Sequence, residues 1–191
     1  LPGDQRADNA LSAMFTSPAL DHDIDIVGAP HVTLSLSSDK PQAQIAVRLN
    51  HIHPDGAATR ITYGVLNLSH RNGNTAPQPM PLNTPQQITL QLDHIAYRVP
   101  KGHRIAVSIS DAYWPLLWPS PEKTALQITG GSLGLALRPS ATGNEWAFPP
   151  PDADTPWQTQ TLREGGNDRT ITTDLKTGLI TLSITDDFGK V

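Results

Sequence analysis

Apolar and polar residues alternate one for one through most of this chain, and that period of two constrains the fold more than any other feature. Ile105, Val107 and Ile109 share one side of a run whose other side is Arg104, Ala106 and Ser108. Such a run gathers its apolar residues on one face only as an extended strand. The pattern recurs at Ile24 and Ile26, at Val32, Leu34 and Leu36, at Ile45, Val47 and Leu49, at Ile88, Leu90 and Leu92, and at Ile95, Tyr97 and Val99. A longer run from Arg60 to His70 is apolar on both faces, which predicts a central strand. Leu126 and Ile128 are expected to turn through Gly130 and Gly131 into a second arm carrying Leu133, Leu135 and Leu137. Two or three further strands are expected, at Gln158 to Leu162, Ile171 to Leu175 and Leu179 to Ile184.

Turn chemistry punctuates these runs. In Pro54-Asp55-Gly56 the proline presets φ for the first corner and the glycine accepts the positive φ that follows. Thr75 to Pro85 holds four prolines and reads as a loop crossing between sheets. With 18 Pro and 14 Gly and almost no helical periodicity, the chain is predicted to be all-β, a jelly-roll-like β-sandwich in which long crossings replace a simple meander. Its 191 residues suit a single domain, 1–191, with residues 1–18 a polar lead-in forming at most one helical turn.

The strand at Ile105 to Ile109 cannot continue, because Pro115, Pro119 and Pro121 fix φ and remove backbone donors. The rigid loop that results carries Tyr113, Trp114 and Trp118, three of ten large aromatics in the chain. Three roles suit such a loop: docking on a partner, plugging the end of the core, or stacking on sugar rings. The residues alone leave all three open.

Residues able to do chemistry are few. Gly130-Gly131-Ser132-Leu133-Gly134 matches the nucleophile-elbow pattern, but that chemistry needs a strand, a strained turn and then a helix, and here a hairpin is expected. His51 and His53 point to one face of a strand end with Asp55 near, which could seed a metal site, yet spacing supplies no third ligand. They are expected to be surface histidines beside a turn. His70 and His103 lack a neighbouring nucleophile and read as hydrogen-bonders at strand ends. Asn67-Leu68-Ser69 fits a glycosylation sequon but falls in the strand expected to be central, and Asp186-Asp187 reads as solvated loop charge. No catalytic, cofactor-binding or metal residue is assigned.

A net charge of −4 without a basic cluster offers nothing to nucleic acid or an anionic membrane, and no apolar run is long enough to span a bilayer. Zero cysteines exclude disulfides and thiolate metal sites, and leave the compartment open.

Gly102-His103-Arg104-Ile105, Ser108-Ile109-Ser110, Ala112-Tyr113-Trp114-Pro115 and Trp118-Pro119-Ser120-Pro121-Glu122 resemble the C-terminal domain of CocE/NonD hydrolases, relatives of X-Pro dipeptidyl-peptidases and cocaine esterase. Asp4-Gln5-Arg6, Pro54-Asp55-Gly56 and Gly64 to Arg71 precede them in the family's order, and Ala106 stands where members usually carry a second basic residue. The resemblance implies a galactose-binding-domain-like sandwich without a catalytic site of its own. Its partner would be an α/β-hydrolase domain of the parent chain, which holds the whole Ser, Asp and His triad of a serine esterase or dipeptidyl-peptidase, and the resemblance puts docking first among the roles of Tyr113, Trp114 and Trp118, which makes them the expected interface. The lead-in lies where the chain leaves that domain. Family members run on past the segment like Asp174 to Gly189, so the domain is expected to be truncated, with an open edge that favours a homodimer. The alternative is an independent carbohydrate-binding module using Trp114 and Trp118.

Overall fold

Ile45, Val47 and Leu49 are wholly buried because the strand carrying them has a neighbour on each side and a second sheet over its inner face. The computed structural model describes residues 3–139 and 147–191, which fall into two units divided between residues 143 and 144. In the first unit α1 (Arg6–Ala10) and β1 (Ala13–Thr16) precede β2 (Ile24–Gly28), β3 (His31–Ser38), β4 (Gln44–Ile52) and β5 (Ala58–Asn67). A 3-10 turn at Leu68–His70 is followed by β6 (Gln86–Gln91), β7 (Ile95–Val99), β8 (Arg104–Ser110) and β9 (Leu126–Gly134).

All strand pairs are antiparallel. One sheet has the order β1-β8-β4-β5, the second β6-β3-β9, and β2 pairs with β7 as a separate ribbon. Val32, Leu34 and Leu36 from the second sheet meet Ile45, Val47, Leu49, Ile105, Val107 and Ile109 from the first, with Ile24, Ile26 and Val99 from the ribbon. Each such side chain contributes about 1.5–3 kcal/mol on burial, so this layer is what holds the sandwich. The expected all-β sandwich is the fold observed.

Four local expectations are corrected. The lead-in is no mere approach: β1 adds an edge strand to β8, pairing Ala13 with Ile109 through Thr16 with Ala106. β5 is the opposite edge of that sheet and not central; its apolar outer residues are covered only in part. Gly64 suits that strand because a Cβ there would stand 2.9 Å from Leu92 Cδ2 and 3.0 Å from the Gln91 carbonyl. Leu126 to Gly134 is one continuous strand along β3, with a register shift between Ser35 and Leu36 that leaves Thr129 unpaired. Gly130 and Gly131 make no turn; Gly131 lets the backbones close up, since a Cβ would lie 2.7 Å from the Thr33 carbonyl. Finally, residues 158–162 form no strand.

The Thr75 to Pro85 crossing is fixed by Arg71, whose Nη1 donates to the carbonyls of Leu68 (3.0 Å) and Gln78 (2.7 Å), and by buried Met80. In the second unit β10 (Gly166–Thr173) and β11 (Ile180–Asp187) form a two-stranded ribbon in register from Gly166 opposite Asp187 to Thr173 opposite Ile180. Asp174 Oδ1 caps its turn by accepting from the Lys176 and Thr177 amides at 2.8 and 3.1 Å. Gly178 there takes φ 74°.

Candidate functional site

Alternation puts Arg48 and Asn50 on the outer face of β4, opposite the core, and there water should cover them. Instead both are buried. The N-terminal segment lies over this face: Arg48 Nη1 donates to Gln5 Oε1 at 3.1 Å, its Nη2 donates to Ser12 Oγ at 2.7 Å, and Asp8 Oδ2 stands 3.5 Å from Nη1. Beside it, Asn50 Nδ2 donates to Ser108 Oγ (2.6 Å), which donates in turn to Asn9 Oδ1 (2.8 Å). Asn9 takes its place because α1 presents it inward, and the N-terminal segment supplies acceptors for both Arg48 Nη groups and for Ser108, while among the described residues Arg48 Nε and Asn50 Oδ1 have no side-chain or backbone partner.

The aromatic loop settles on the same guanidinium. Tyr113's ring centre lies 5.2 Å from Arg48 Cζ and 5.6 Å from Arg60 Cζ, and Arg60 Nη1 donates to the Tyr113 hydroxyl. Arg60 also lies 4.5 Å over the Tyr63 ring, which meets Tyr113 edge-on at 5.8 Å. Gln44 Nε2 pins the far end of the loop by donating to the Trp118 carbonyl at 2.8 Å. The peptide between Trp114 and Pro115 is cis. Trp114 and Trp118 meet at 5.5 Å with their planes 65° apart and remain 53% and 78% exposed, with Leu116 at 57% between them. None of the three predicted aromatics belongs to the inter-sheet core. Arg48 and Arg60, which anchor the loop, were not singled out from the sequence; each sits at an ordinary polar position of a strand.

Histidines gather at the end of the core. His51 and His53 do share one face, with ring centres 4.0 Å apart, but His51 is buried and not a surface residue. It lies on the inner face of β4, where the Tyr97 hydroxyl meets its Nδ1 at 2.8 Å and His103 Nδ1 meets its Nε2 at 2.6 Å. His53 Nε2 reaches Thr59 Oγ1 at 3.4 Å. Burial, reinforced by His53 and then His103, pushes the His51 pKa down to about 4. His103 thus joins the pair across 50 residues of sequence, and three ligand nitrogens lie within 4.8 Å of one another.

Ser132 lies in mid-strand opposite Thr33, and among the described residues no histidine hydrogen-bonds its hydroxyl, so the arrangement lacks the base a nucleophile needs. His70 Nδ1 meets Asn74 Oδ1 at 3.0 Å. Asn67 is exposed at the end of β5 and caps the 3-10 turn through the Ser69 amide, because the strand is an edge and not central. Asp187 belongs to β11 and is bridged by Arg163, so it is no loose loop charge.

Residues 3–172 match the family described as the X-Pro dipeptidyl-peptidase C-terminal non-catalytic domain. Over 126 residues the chain is 30% identical to a Mycobacterium bovis protein named as a serine esterase, covering 57% of this chain and 20% of that protein; a Mycobacterium tuberculosis protein named likewise gives the same values. The chain therefore spans a fifth of the length of these curated relatives. Its fold is shared with an α-amino acid ester hydrolase (TM-score 0.65, 20% identity, 71% of this chain and 27% of that one). It is shared also with an aminopeptidase of a marine-sediment Thaumarchaeota archaeon (0.64, 14%, 72% and 28%) and a CocE/NonD family hydrolase of Staphylococcus aureus (0.54, 14%, 71% and 32%).

Proposed function

Because this chain belongs to the family of X-Pro dipeptidyl-peptidase C-terminal non-catalytic domains, we propose that it docks on an α/β-hydrolase domain of a parent serine hydrolase and helps to shape that domain's cleft. The parent reaction is hydrolysis of an ester or X-Pro peptide bond, with the catalytic triad supplied by the hydrolase domain. The observation that carries this reading is the position of the aromatic loop. Arg48 holds both Tyr113 and the N-terminal segment, through Gln5 and Ser12, so the exposed Trp114, Leu116 and Trp118 stand near the segment by which the chain would enter from the hydrolase domain. An apolar patch on a stiff base loses little side-chain freedom on binding, which is what a docking surface requires.

A carbohydrate module would use the same rings as a platform, but planes 65° apart cannot lie flat against one sugar face together. The two readings separate in one comparison. Docking predicts that this chain alone leaves p-nitrophenyl esters intact, alters the ester-hydrolysing rate of a family hydrolase domain added in trans, and gives no signal in a glycan screen. Glycan binding lost in Trp114→Ala, with no effect on the hydrolase, would overturn it. A homodimer is the finer partner reading, supported by the exposure of Ile171, Leu179, Ile180 and Ile184 on the β10–β11 ribbon.

A further inference from the structure

The spacing of His51 and His53 leaves a metal site one ligand short, and the fold supplies that ligand from the turn before β8. We infer that His51, His53 and His103 bind a divalent transition-metal ion, with zinc the best match to an all-imidazole donor set.

Each side chain reaches the cluster for a backbone reason. His51 is the last inward-facing residue of β4, and His53 follows two residues on, where the backbone enters the Pro54-Asp55-Gly56 turn and the His53 amide donates to the Ala57 carbonyl at 2.9 Å. His103 is set by the adjoining turn, its amide donating to the Pro100 carbonyl (3.2 Å) and its carbonyl accepting from Leu20 (2.8 Å). Two turns thus converge on the open end of β4 and β8, where Ile52 pairs with Arg104.

The donor atoms are suitably disposed. Nitrogens on a tetrahedral zinc stand about 3.3 Å apart, from a Zn–N length of about 2.0–2.1 Å. Here the ligand nitrogens lie within 4.8 Å, so closure takes small rotations of His53 and His103, both half-buried. Tyr97's hydroxyl can hold the His51 proton on Nδ1, which leaves the Nε2 lone pair facing His103. Thr59 is placed to do the same for His53 by accepting from Nε2, leaving its Nδ1 for the ion. Such outer partners fix tautomer and ring direction in metal sites. The 2.6 Å contact between His51 Nε2 and His103 Nδ1 then shares one proton where the ion would sit, and moving that proton to His103 Nε2 frees both lone pairs. Three protein ligands leave a fourth position for water.

The test uses the whole chain, freed of any affinity tag and stripped with chelator. Titration with Zn2+ by calorimetry should show about one ion per chain and a higher melting temperature, and Co2+ should give the visible absorption of a four-coordinate nitrogen and oxygen site. His103→Asn should weaken zinc binding by more than about 100-fold, because outer-shell changes alone cost 10–100-fold, and Tyr97→Phe should fall within that smaller range. His94→Asn, at an exposed histidine apart from the cluster, should bind as the unaltered chain does. Melting each apo variant in chelator shows whether it folds, and His53→Asn, at the other half-buried ligand, serves if His103→Asn does not. No zinc uptake by the folded chain, or uptake that survives loss of His53 or His103, would overturn the assignment.

Discussion

Arg48 joins the N-terminal segment to the aromatic loop, two parts of this molecule far apart in sequence. Its guanidinium satisfies Gln5, Ser12 and Asp8 from the N-terminus and supports Tyr113 from the aromatic loop, all over the outer face of β4. Arg48→Met keeps the volume but leaves the Gln5 and Ser12 oxygens without their donor, which should cost about 1–3 kcal/mol in urea unfolding. The same variant should speed amide exchange in residues 6–12 and at Tyr113 while β3 stays protected; uniform protection would show that the network is idle. Asp25 offers a pH test. Arg98 holds its carboxyl below the usual carboxylate range through hydrogen bonds at 2.7 and 2.8 Å. A depressed folded pKa gives stability that is full above about 3.8 and lost as pH falls through the lower folded value. Asp25→Asn should therefore lower the melting temperature at pH 6 and lower it progressively less as the pH falls below about 3.8, and an equal loss across that range would rule out the ionic origin. The i, i+2 spacing of His51 and His53 was legible in the sequence, because it is a local property of a strand. Arg48 and His103 were not, because each finds its partners through non-local pairing of β4 and β8.

Among elements, β9 shows where local pattern and tertiary pairing diverge. Adjacent glycines between two apolar runs read as a turn, yet neither takes a positive φ, and the strand passes straight along β3. Their absent side chains serve close approach instead. Gly131→Ala should destabilise by about 1–3 kcal/mol, since its Cβ would meet the Thr33 carbonyl at 2.7 Å, whereas Gly130→Ala has open space and should cost little. Equal, small effects would favour a flexible turn over the continuous strand. β5 departs from its pattern in a similar way: apolar residues on both faces suit a strand covered on both sides, but Arg60, Tyr63 and Tyr113 cover part of the outer face and the strand ends a sheet. The aromatic loop was legible because three prolines dictate its stiffness whatever surrounds it, although the residues that hold it down were not.

At the scale of the whole molecule, the sandwich rests on alternation that repeats from strand to strand through most of the first unit, and redundancy of that kind survives errors in any one strand. The β10–β11 ribbon has no comparable core. Ile171, Leu179 and Ile180 are 71%, 63% and 65% exposed, and two strands alone are marginal in water. A homodimer through this ribbon predicts a mass that rises with concentration in light scattering and a shift toward monomer on Ile171→Lys; a constant monomer mass would exclude it. The central claim, that Trp114 and Trp118 form a docking surface, is tested most directly by calorimetric binding of this chain to a family hydrolase domain. The account predicts measurable affinity that falls at least about 30-fold in Trp114→Ala with Trp118→Ala, the loss of one interface anchor worth about 2 kcal/mol, while the melting temperature of the variant is unchanged. Undiminished affinity in the double variant, or no binding by the unaltered chain, would contradict it.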